Sequence, residues 1–156
     1  MNAHIGLTEA QSQAVAVILN QLLADEQVLY AKTRNYHWNY EGGNFMEMHK
    51  FYEGQYEALA DMIDDLAERI RQLGHFAQGR LKDYVKAARL TEPAYTTEQD
   101  KQVQNLLDDH ETLIRQLRQD IDVVDNEHKD AGTTDFLTGL MQQHEKMAWM
   151  LRAYLR

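Results

Sequence analysis

Apolar residues recur every three or four positions through most of the chain, the period of an amphipathic α-helix. Four long segments carry the pattern. The first starts at Thr8, where Thr8 and Gln11 make a T-x-x-Q capping box; it runs to about Asn39 with Val15, Ile18, Leu22 and Leu29 on one stripe. The second starts after Asn44, with Glu47 three residues on, and stops at Gly74. Its stripe is Phe45, Met48, Tyr52, Tyr56, Leu59, Ile63, Leu66, Ile70 and Leu73, a bundle-seam alternation of threes and fours. The third starts near Thr96–Thr97, after Pro93, and ends before Gly132, through Val103, Leu107, His110, Ile114, Leu117, Ile121 and Val124. The fourth starts at Thr133 or Thr134 and runs to the C-terminus through Leu137, Met141, His144, Ala148, Leu151 and Leu155.

The connections order these helices. The first and last are short, so each joins an antiparallel pair. About 22 residues separate the second and third helices, enough to run the length of a bundle and let both point the same way. Within that stretch RLKDYVKAA (Arg80–Ala88) predicts a short helix of its own. The expectation is one all-α domain over residues 1–156, a four-helix bundle with a long middle crossover. That is the ferritin-like arrangement.

Composition narrows the chemistry. There is no cysteine, which excludes disulfides and thiolate metal sites. The opening MNAHIGLTEAQSQ has neither Lys nor Arg nor an apolar run, so it does not read as a secretory signal. The longest apolar stretch, AVAVILNQLLA, is broken by Asn20 and Gln21 and is too short to span a bilayer. A cytoplasmic protein is expected. The net charge is −9 and no Lys or Arg precedes Lys32, a balance that favours cations over nucleic acid as partners.

The candidate chemistry lies at the first turn and along the second helix. His37 and His49 stand six residues either side of Gly43 in NYHWNYEGGNFMEMH. If the glycines close an αα-hairpin, the two imidazoles lie at one height and can share a ligand. Glu53 follows His49 by one helical turn, and Asp61, Asp64, Asp65 and Glu68 continue an acidic stripe. Such a set suits iron, manganese or zinc; a solvated acidic face explains the carboxylates equally well. His49 and Asp64 are 15 residues apart, roughly 22 Å along a helix. They can bind one ion only if two copies of this helix pack antiparallel about a two-fold axis near residues 56 to 59, where Gly54, Ala58 and Ala60 permit close approach.

With His37–Trp38, His49, Glu53, Asp64 and Glu68 in place, DDLAERI around the last two and AWML near the C-terminus, the sequence resembles the Dps family of mini-ferritins over nearly its whole length. The resemblance implies a hollow twelve-subunit shell with ferroxidase centres at two-fold interfaces. His37, His49 and Glu53 would come from one subunit, and Asp64 and Glu68 from its neighbour. It implies oxidation of Fe(II), preferentially by hydrogen peroxide, and storage of the Fe(III) product; zinc at the same ligands stays open on affinity order alone. It makes Trp38 an electron donor that intercepts strong oxidants, against the alternative of a packing aromatic. It also makes Asp130 and Asp135 lining residues of a cation pore, against helix capping by Asp135.

The departures are specific. Position 53 is Glu where many members have Asp, and Lys50 and Phe51 stand where many have acidic cavity-wall residues. DNA-binding members carry a Lys/Arg-rich tail; this N-terminus has none, and the C-terminus offers only Arg152 and Arg156. A DNA-binding nucleoid-protection protein without significant ferroxidase activity is the alternative that this charge pattern disfavours. No Glu-x-x-His occurs, the nearest form being Asp125-x-x-His128, which argues against a substrate-oxidising di-iron enzyme. Tyr36, Tyr40 and Tyr52 are expected to pack. His110 and His144 are expected to be hydrogen-bonded core or interface residues, and His4, His75 and His128 surface ones. Arg69 is expected to pair with a carboxylate at an interface.

Overall fold

The computed structural model describes residues 3–155, so Arg156 lies outside the described residues. The elements are α1 (Glu9–Asn39), α2 (Phe45–Gln72), α3 (Leu81–Ala87), α4 (Gln99–Asn126) and α5 (Ala131–Tyr154). The long four form the expected bundle, and α3 is the short helix of the crossover.

Side-chain contacts fix the directions. Tyr30 meets Tyr56 edge-on at 6.0 Å and His37 stacks on His49, so α1 and α2 are antiparallel. Lys32 pairs with Asp109, and Asn105 donates to the Tyr36 hydroxyl, so α1 and α4 are antiparallel too. Hence α2 and α4 point the same way. The bridges Arg118–Glu145 and Arg152–Glu111 run α5 back along α4. The leucine stripes meet in the centre: Leu19, Leu22, Leu59, Leu66, Leu117 and Leu151 are fully buried.

α1 begins as its sequence dictates. The Thr8 hydroxyl accepts from the Gln11 amide at 3.3 Å, and the Thr8 amide donates to the Gln11 side chain at 2.9 Å. Replacing Thr8 by Ala is expected to cost about 1 kcal/mol, read as a lower urea midpoint at fixed protomer concentration.

Buried charge ties the crossover down. Asp25 accepts from the amides of Arg89 (2.5 Å) and Leu90 (3.2 Å) and pairs with the Arg89 guanidinium at 2.6 Å. Lys32 donates to the Thr91 carbonyl at 2.7 Å and to Asp109 at 2.5 Å. These polar side chains satisfy backbone groups of a segment that has no helix or strand partner of its own.

The last turn differs from expectation. α4 ends at Asn126, and α5 starts at Ala131 with Asp130 as its cap, so Gly132 lies inside the first helical turn. The residue that adopts positive φ here is Lys129, at 57°. Gly132 serves close approach instead: a Cβ there would come within 2.9 Å of the Arg69 guanidinium. At the first turn, a side chain at Gly42 would collide with the Tyr40 ring.

Candidate metal centre

The αα-hairpin brings His37, near the end of α1, against His49, near the start of α2. The rings stack with centroids 3.7 Å apart and planes 18° apart. His37 Nδ1 lies 2.7 Å from the His49 carbonyl oxygen, and His49 Nδ1 lies 2.9 Å from the His37 carbonyl oxygen. A carbonyl only accepts, so each Nδ1 carries a proton, and Nε2 is the nitrogen that would offer a lone pair in the neutral ring. The same arrangement fixes tautomer and ring plane in metal-ligating histidines. Two neutral rings tolerate this stack, whereas two imidazolium ions at that distance repel.

Neighbours clamp the pair. Phe45 stacks on His49 at 5.1 Å, and Tyr56 sets its edge against His37 at 5.2 Å. Neither flanking ring was singled out for this role by the sequence, though both belong to the apolar stripe of α2. Glu53 lies one turn beyond His49 and is half-buried. Desolvation, then the charges of Glu53 and Glu57, hold the Tyr56 phenol above its ordinary value.

Asp64 and Glu68 are exposed farther along α2. Among the described residues, no three His, Asp or Glu side chains come together as a metal cage. One chain thus brings His37 and His49 together at the hairpin, with Glu53 one turn along α2, and leaves Asp64 and Glu68 exposed farther along the same helix.

Trp38 does not pack in the core: it is 59% exposed, with the Arg34 guanidinium 4.8 Å from its ring centroid. Arg34 also lies 5.6 Å from the Tyr56 ring, linking Trp38 to the aromatic clamp. Helix capping falls to Asp130, not Asp135. Asp130 is buried, accepts from the Thr133 amide and hydroxyl at 3.0 and 2.5 Å, and pairs with Arg69 at 3.3 Å. Arg69 thus finds its carboxylate within its own chain. Asp135 is exposed just past the first turn of α5.

His110 and His144 are core residues, as expected, with Nδ1 atoms 2.9 Å apart. Their third partner, Glu26, is fully buried and was not anticipated; its Oε1 lies 2.6 Å from His144 Nε2. His75 is half-buried rather than a free surface residue, because its Nε2 lies 2.8 Å from the Ser12 hydroxyl. His4 is exposed and His128 partly so. Tyr36, Tyr40 and Tyr52 pack in the core.

The ferritin-like domain family matches residues 17–156. DNA protection during starvation protein 2 of Bacillus anthracis is 33% identical over 144 residues, covering 92% of this chain and 98% of that protein. The chain belongs to the Dps mini-ferritins. Another relative of this Dps chain, an uncharacterized low temperature-induced protein of Nostoc sp., is 45% identical across 97% of the chain and 86% of its own length. The crystal structure of a Dps protein from Vibrio cholerae O1, described as a member of a superfamily of ferritin-like diiron-carboxylate proteins, has a TM-score of 0.94. It is 37% identical and covers 99% of this chain and 97% of its own. Among the described residues, no helix is long and apolar enough to cross a membrane.

Proposed function

We propose that this Dps chain is the subunit of a twelve-subunit, iron-sequestering shell in the cytoplasm, with ferroxidase centres shared between subunits. The observation that carries it is the reciprocal Nδ1 bonding of His37 and His49. It turns each Nδ1 to the backbone and leaves each ring's Nε2 to a ligand, while Asp64 lies roughly 22 Å from His49 along the same helix. Antiparallel packing of α2 on a second α2, about residues 56–59, supplies Asp64 and Glu68 of the partner subunit to His37, His49 and Glu53.

Fe(II) is the substrate. Imidazole and carboxylate bind it without thiolate. The carboxylates of Glu53, Asp64 and Glu68 favour the ferric product and so lower the potential. Hydrogen peroxide is the oxidant: two Fe(II), one peroxide and two protons give two Fe(III) and two waters. Consuming both reagents together removes the source of hydroxyl radical, and the Fe(III) is stored inside the shell. Trp38, exposed beside His37, is placed to give up an electron to a stray strong oxidant. Asp135 is free to line a way in for cations, while Asp130 is held by Arg69 and Thr133. Zinc competes for the same ligands and is expected to inhibit.

The test is anaerobic loading with Fe(II), then stoichiometric peroxide, following Fe(III) absorbance. Wild type is expected to oxidise rapidly, and Asp64→Ala to be slower by about tenfold or more, since even outer partners of metal ligands cost that much. Equal rates would remove Asp64 from the centre. Absence of oxidation in both would make the acidic stripe structural. Duplex DNA is not expected to shift at low salt, given the charge of −9.

A further inference from the structure

Two Fe(II) at one centre supply both electrons that hydrogen peroxide takes up. A centre holding one Fe(II) supplies a single electron, and the products are Fe(III), hydroxide and a hydroxyl radical. Unless a neighbouring group gives the second electron, a half-filled centre makes the species that sequestration is meant to prevent. The packing around His37 contains such a group.

Tyr56 sets its ring edge against the His37 ring, with centroids 5.2 Å apart and planes 77° apart. It follows Glu53 by three residues on α2, so the two share a face. Tyr30 of α1 stands behind it, edge-on at 6.0 Å. The Arg34 guanidinium lies among these rings, 5.5 Å from Tyr30, 5.6 Å from Tyr56 and 4.8 Å from Trp38. It donates to the Tyr30 hydroxyl at 3.2 Å. Its charge is permanent, and among the described residues no carboxylate of its own chain pairs with it. Trp38 joins the cluster through this guanidinium.

The charge sorts the two kinds of donor. A phenol sheds its proton with its electron and ends as a neutral radical. An indole that gives up an electron passes through a cation, which a fixed positive charge 4.8 Å away opposes. Oxidation also removes the electron density on the indole face that holds the guanidinium. Trp38 is therefore the harder donor for an oxidant formed beside His37. Being 59% exposed, it still meets oxidants that arrive from solvent.

We propose that Tyr56 donates the second electron at a half-filled centre, with Arg34 keeping that loss on Tyr56 and off Trp38; this rests on the ferroxidase reading above. The electron passes by way of the His37 ring, the phenol O–H bond breaks, and the hydroxyl radical, the electron and the proton end as water. In sum, one Fe(II), one peroxide, one tyrosine and one proton give Fe(III), a tyrosyl radical and two waters. The next Fe(II) to arrive, with one proton, restores the phenol. The role needs no access to solvent, so closing an α2–α2 contact about residues 56–59 leaves it intact.

The test loads the assembled protein anaerobically with one Fe(II) per centre, adds stoichiometric peroxide and freezes it for electron paramagnetic resonance. Wild type is expected to give a radical whose signal narrows with ring-deuterated tyrosine and not with deuterated tryptophan. Tyr56→Phe, which keeps the ring, is expected to lose most of that signal, and Tyr30→Phe to retain it. Arg34→Gln is expected to move part of it to tryptophan. Size exclusion and circular dichroism check that the variants assemble, and the labelling of wild type needs none of them. A tryptophan radical in wild type, an undiminished tyrosine signal in Tyr56→Phe, its loss in Tyr30→Phe, or a wholly tyrosine signal in Arg34→Gln would each overturn the proposal. Loading with two Fe(II) per centre separates it from the reading beneath it. Rapid Fe(III) formation there, with no radical at one Fe(II), would remove Tyr56 as donor and leave the ferroxidase standing. No oxidation at either loading would remove both.

Discussion

Two inactive variants, mixed in one shell, are expected to recover activity that neither has alone. His49→Ala removes a ligand from one group and Asp64→Ala a ligand from the other. A two-fold interface carries two centres, each using the histidine of one subunit and the aspartate of its neighbour. In a mixed pair, one centre loses both residues and the other keeps both. With random pairing half the interfaces are mixed, and half of their centres are intact. Co-expressed variants should therefore regain about a quarter of the wild-type rate, against near-zero rates for each variant shell. The measurement is peroxide-driven Fe(II) oxidation on shells purified through two different affinity tags. A mixed shell no faster than its parents would place the working ligands within one subunit. The recovery is read against the two parents, in which every centre carries one lesion.

The fold was legible because its signals are redundant. The alternating stripe of α2, the Thr8–Gln11 box and the length of the crossover each point to the same bundle, and each rests on local chemistry. The hairpin half of the candidate centre was legible for the same reason. Two histidines at equal distance from a tight turn must meet if both flanks are helical, and they stack at 3.7 Å. Asp64 and Glu68 were legible only as part of an acidic stripe too far along α2 to share an ion with His49 in one chain, and their place in the centre belongs to the proposed two-fold contact. What escaped was long-range and polar. Asp25, Glu26 and Lys32 sit on α1 among apolar residues, where periodicity marks them as interruptions of a stripe. Their partners are Arg89, His144 and Asp109, between 64 and 118 positions away. No local pattern pairs residues across such a separation. The α4–α5 turn was misjudged because Gly132 reads as a helix stop, whereas its lack of a side chain makes room for Arg69, a neighbour in space only.

The buried Glu26–His144–His110 chain carries the second large expectation. All three residues are 0% exposed. Glu26 Oε1 accepts from His144 Nε2–H at 2.6 Å, and one proton lies between the two Nδ1 atoms 2.9 Å apart. Whichever ring holds that proton, His110 Nε2 has no partner. Burial, and then the adjacent His144, hold the His110 imidazole well below its ordinary value. The unfolded chain titrates this group near pH 6.5, so below that pH the unfolded state binds a proton the folded state refuses. Stability from this residue is therefore complete above pH 6.5 and falls as the solution is acidified. The loss follows the one-proton linkage slope, at most about 1.4 kcal/mol for each pH unit as the pH falls below the unfolded value. His110→Phe is expected to flatten the fall in urea midpoint over that range by this amount, at fixed protomer concentration. Glu26→Ala is expected to cost about 1–3 kcal/mol at pH 7, because it strands His144 Nε2–H in the core. Glu26→Gln retains an acceptor for that N–H and should cost less than Glu26→Ala. If wild type and His110→Phe lost stability in parallel on acidification, His110 would have to be taking up its proton without leaving the fold. The pH sensitivity would then belong to the surface carboxylates instead.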